Sequence, residues 1–75
     1  MNMVDVTVHI DETVDHDRRT KIADIVRGSK GVMGVAHHDE KPHLMVVEYN
    51  PEMVSSKELL QLVLGQGVHA ELVGM

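Results

Sequence analysis

Val4, Val6, Val8 and Ile10 alternate with Asp5, Thr7 and His9, the period-two pattern of a strand that buries one face. The alternation stops at Asp11. Between His16 and Arg27 the apolar positions Ile22, Ile25 and Val26 fall three and four apart. That spacing predicts an amphipathic helix behind an Asp cap, ended by the stretch from Gly28 to Gly31. Val32 to His38 and Leu44 to Tyr49 are rich in β-branched and apolar residues, and Asp39-Glu40-Lys41-Pro42 between them supplies a turn, so the pair reads as a hairpin. Asn50-Pro51 breaks the second strand. Ser55 or Ser56 then caps a second helix, with Glu58 placed for a capping box. Leu59, Leu60 and Val63 form its inner face, and Leu62 and Leu64 lie off that stripe. Gly65 and Gly67 close it, and His69 to Val73 makes a last short strand with Ala70 and Leu72 inward.

The order β, α, β, β, α, β is that of two interlocked right-handed βαβ units. The expected fold class is therefore α+β, a ferredoxin-like sandwich: an antiparallel four-stranded sheet in the order 4-1-3-2, with both helices on one face. In that topology residues 11–17, 37–43 and 66–69 meet at one end. Val6, Val8, Val35 and Val47 are expected in the core, with Met33, Met45 and Met53 filling gaps that aromatic rings would otherwise occupy. The opposite face should present Leu44, Val46, Ala36 and Val73 among Thr7, His9, Glu48 and Glu71. A half-apolar face of this kind invites a second copy or another protein, so a homodimer or protein partner is expected there.

Composition narrows the function classes. Seventy-five residues make one domain, 1–75, and 43% hydrophobic with 25% charged residues is the balance of a globular chain. A net charge of -5 and a single aromatic, Tyr49, argue against nucleic acid, which needs clustered cations and stacking platforms. Gly28-Ser29-Lys30-Gly31 has the Gly-x-x-Gly spacing of an RNA-binding loop, yet it leads into a strand of an acidic chain and reads as a helix stop. The absence of cysteine removes disulfides, thiolate metal sites and a thiol nucleophile. No apolar run reaches the 18 residues of a membrane span, so membrane insertion is not expected and a cytoplasmic location is. No nucleophile with a base and an orienting group can be assembled, so an enzyme is not expected.

The candidate chemistry lies in the loop after the first strand. Asp11, Glu12, Asp15 and Asp17 surround His16 there, and His69 is the one distant histidine that the topology can bring to it. Asp15, His16, Asp17 and His69 are therefore the candidate metal ligands. Such oxygen and imidazole donors suit a divalent ion, namely zinc, nickel, cobalt or copper(II). The same acids have a second use, because carboxylates at a helix N-terminus cap free amides and complement its dipole. Three more histidines, His37, His38 and His43, flank the hairpin turn. Adjacent strand residues point to opposite faces, which makes His37 with Asp39, or His38 with His43, the better pairs.

Several fragments, in their order and spacing, resemble one family. They are Val6-Thr-Val-His-Ile10, Ile22 with Val26, Gly31-Val32 followed by Val35, Val47-Glu-Tyr-Asn-Pro-Glu52, Ser55-Ser-Lys-Glu-Leu-Leu60, and Gly67 before Ala70-Glu-Leu-Val73. Across nearly its whole length the chain resembles the heavy-metal-associated domain of metallochaperones and P-type metal ATPases. The resemblance implies the same ferredoxin-like fold and a role in metal binding or transport. It breaks where the family keeps its Gly-Met-x-Cys-x-x-Cys loop, for residues 12–18 place Asp15 and Arg18 at the two cysteine positions. Transfer of monovalent copper by paired thiolates does not carry over. Val68 stands where family members often have an aromatic. Two functions remain open: a divalent metal-binding domain with Asp and His ligands, or a metal-free interaction or regulatory module on the same fold.

Overall fold

The computed structural model describes residues 2–73; Met1, Gly74 and Met75, which the single-domain reading of 1–75 includes, lie outside it. Strand β1 (Val4–Ile10), helix α1 (His16–Arg27), strands β2 (Val32–His38) and β3 (Lys41–Tyr49), helix α2 (Ser56–Leu64) and strand β4 (Ala70–Val73) follow one another. All strand pairs are antiparallel, in the order β2-β3-β1-β4. This is the expected 4-1-3-2 order read from the other edge. Val6 lies opposite Val47 and Val8 opposite both Met45 and Leu72, so inward residues of three neighbouring strands stack in rows.

Those rows meet Ile22, Ala23 and Val26 of α1 and Leu59 and Val63 of α2 in one buried cluster, which places both helices over the same sheet face. Ser55, rather than Ser56, caps α2, accepting a hydrogen bond from the Glu58 amide at 3.1 Å. Val6, Val8 and Val47 are buried and Val35 packs half-buried against them, as the alternation predicts.

Several assignments differ in detail. On α1 the buried positions are 19, 22, 23 and 26, so Ile25 faces solvent and Arg19 completes the inward stripe. On α2 it is Leu62, not Leu60, that packs against the core beside Leu59 and Val63. Of the three methionines only Met45 fills the core; Met33 and Met53 are exposed. Strand β3 also begins earlier than its apolar run, at Lys41, which shortens the turn to Asp39 and Glu40. The ladder shifts between His37, opposite Met45, and His38, opposite Lys41, so Pro42, His43 and Leu44 bulge out of register with β2.

Candidate metal-binding site

The end of the fold holding the C-terminus of β1 and the N-terminus of α1 also holds the β2–β3 turn and the start of β4. Asp15 is the N-cap of α1, extended in backbone, and its carboxylate accepts the Arg18 amide at 2.8 Å. Asp17 sits in the first helical turn, where a negative charge complements the dipole. His16 turns toward the hairpin and donates from Nδ1 to Asp39 Oδ1 at 3.0 Å. The same oxygen receives the guanidinium of buried Arg19. Arg19 donates further to His37 Nδ1 at 3.1 Å and to the Val14 carbonyl at 3.2 Å, so its donors join α1, the loop before it, β2 and the hairpin turn.

Two pKa shifts record this arrangement. The hydrogen bond from His16, helped by the Arg19 charge, holds the Asp39 carboxyl below its ordinary value. Burial lowers His37, and the neighbouring charges of Arg19, His16 and Arg27 lower it further. His37 and Asp39, the pair singled out in the sequence, are thus brought together through Arg19. His38 and His43 are not paired: His38 is exposed, while His43 donates from Nδ1 to the Ile10 carbonyl at 2.8 Å.

His69 lies just before β4. Its backbone amide and its Nδ1 donate to the two oxygens of Glu12, at 2.8 and 2.7 Å. These bonds pull Glu12 down to about 2 and raise His69 above its ordinary value. The four ligand candidates of the sequence therefore have separate partners: Asp15 an amide, His16 Asp39, His69 Glu12, and Asp17 the helix end. They share one end of the molecule without forming a compact ligand group.

Among the described residues, one group of three His or carboxylate side chains has its ligand atoms within 4.8 Å of one another: His9, Asp11 and Glu71. His9 Nδ1 stands 3.3 Å from Asp11 Oδ1 and 3.9 Å from Glu71 Oε1. This trio lies on the sheet face away from the helices. The sequence placed His9 and Glu71 on that face and Asp11 in the loop, but only the pairing of β1 with β4 sets Glu71 opposite His9. The ring of His43 stacks on that of His9, centroids 5.6 Å apart and planes 16° from parallel.

No protein-family model and no curated protein matches the sequence. Solved structures do match. Oxidized MerP from Ralstonia metallidurans CH34 superposes with a TM-score of 0.86 at 15% identity, over 97% of this chain and 100% of that one. The copper binding domain from HMA7, a P-type ATPase, gives 0.84 at 13% identity over 93% of each chain. The copper(I) loaded first domain of the human copper chaperone for SOD1, CCS, gives 0.80 at 23% identity, over 100% and 99%. At these identities the likeness is one of fold, and the fold is that of heavy-metal-associated domains.

Proposed function

We propose that this chain is a divergent heavy-metal-associated domain that binds a divalent metal ion through carboxylate and imidazole groups and catalyses no reaction. The support is the fold shared with copper-binding domains, taken together with a donor set from which thiolate is missing. Transfer of monovalent copper between paired thiolates does not fit these residues, because the chain has no cysteine. Zinc, nickel, cobalt and copper(II) do fit oxygen and nitrogen donors. The observation that carries the reading is the group of one imidazole and two carboxylates whose ligand atoms lie within 4.8 Å. Calorimetric titration and native mass spectrometry at pH 7.5 with each ion should give saturable uptake of one equivalent. Absence of saturable binding by all four ions overturns it.

One observation favours a second reading, a metal-free interaction module. Val46 and Val73 are 38% and 44% exposed on the sheet face that no helix covers, and exposed Ala36 lies opposite Val46. If two copies pair through this face, Val46→Lys converts a dimer to a monomer in sedimentation, since burying an unpaired ammonium is strongly unfavourable. A dimer that persists in the variant rules the face out.

A further inference from the structure

The geometry points to the corner of the uncovered sheet face where β1 meets β4, with His9, Asp11 and Glu71 as ligands, as the place where a divalent ion binds. This inference rests on the divalent-metal reading above and locates its site outside the helix-capping residues. His9 and Glu71 are cross-strand partners, and such partners present their side chains side by side on one face. Asp11 follows His9 by two, the interval that returns a side chain to the same face, and its amide donates to the His69 carbonyl at 2.8 Å, which extends the β1–β4 ladder by one step.

The distances suit a small ion. Around a four-coordinate zinc with bonds of about 2.0–2.2 Å, neighbouring ligand atoms lie about 3.3–3.6 Å apart. The His9–Asp11 separation of 3.3 Å already meets this, and the 3.9 Å to Glu71 closes by rotation of an exposed side chain.

Charge also favours a cation at this corner. Asp39 has Arg19 and His16, Glu12 has His69, and Asp15 has an amide. Asp11 and Glu71, among the described residues, have no Lys or Arg ion-pair partner, and each stands beside His9. A divalent ion between them neutralises two carboxylates that otherwise repel each other. His43, tied to the Ile10 carbonyl and stacked on His9, restrains the ring from turning away. Three protein ligands leave one coordination position open to water or to an exchanging ligand.

The test titrates metal-free protein with zinc(II), nickel(II), cobalt(II) and copper(II) salts, as wild type, His9→Ala, the double variant Asp11→Asn with Glu71→Gln, and the control Asp15→Asn with His69→Ala. Binding should weaken at least tenfold in the first two variants and persist in the control. Cobalt(II) added to wild type should broaden the ring resonances of His9 and His43 before those of His16 and His69, a readout that stands if a variant fails to fold. Undiminished binding in both variants, or broadening centred on His16 and His69, overturns this site while leaving the divalent reading intact. No binding by wild type overturns both.

Discussion

Arg19 is 2% exposed, and a buried guanidinium keeps its place only if its donors are matched, here by His37, Asp39 and the Val14 carbonyl. Arg19→Ala removes the buried stem and leaves His37 and the carbonyl without their donor, so it should cost about 3 kcal/mol in urea unfolding. Arg19→Met keeps the stem's packing and should cost about half as much. Equal losses would show that the polar contacts, not the stem, do the stabilising. The bond to His37 also has a pH signature. Arg19 can donate to Nδ1 only while that nitrogen carries no proton. Arg19, His16 and Arg27 oppose a charge on the ring, with Asp39 the one group that favours it. The folded pKa lies below the ordinary 6.5, so the unfolded chain binds the proton more readily. This contribution to stability is present above pH 6.5 and is lost as pH falls from there through the folded value. His37→Gln, whose amide oxygen accepts from Arg19 at any pH, should flatten that part of the urea-midpoint profile. An unchanged slope would assign it to another group.

Elements are joined here by a few demanding positions. Gly31, between α1 and β2, has φ +90°, and a Cβ there would lie 2.8 Å from Met53 Cβ and 3.1 Å from Val54 Cγ1. It also accepts the Asn50 amide at 2.8 Å, tying this junction to the one after β3. Gly31→Ala combines backbone strain with a clash against two side chains and should cost about 2 kcal/mol or more. Gly34 in β2 has open space around it and no positive φ, so Gly34→Ala should change stability by no more than about 0.5 kcal/mol. Comparable losses at both positions would refute the steric account. Val47, fully buried between Val6 and Val35 on the neighbouring strands, should cost about 1 to 3 kcal/mol when cut to alanine, through lost burial and the cavity left behind.

For the whole molecule, small size makes any ligand of the folded state visible. Zinc at one hundred times its Kd adds about 2.7 kcal/mol to the stability of a single-site protein. In a domain of 75 residues that corresponds to a rise in melting temperature of roughly 10–20 °C. Thermal unfolding should show this rise in wild type and lose most of it in His9→Ala. An equal rise in both would place the ion elsewhere. Among the described residues, no helix is long and apolar enough to span a membrane.

The order of elements, the layer architecture and most of the core were legible in the sequence, because alternation in β1 and three-and-four spacing in the helices are local consequences of backbone geometry. Val6, Val8 and Val47 are buried for that reason, and the same topology brings residues 11–17 and 66–69 to one end. Arg19 was not legible as an inward residue, since a charged side chain enters a core only where distant partners, here His37 and Asp39, are already in place. Nor was the division of the loop's acids between capping, ion pairing and an open cluster. His9 and Asp11 share a face by local alternation, but the pairing of β1 with β4 decides that Glu71 stands beside them, and register between strands distant in sequence is a property of the assembled sheet alone.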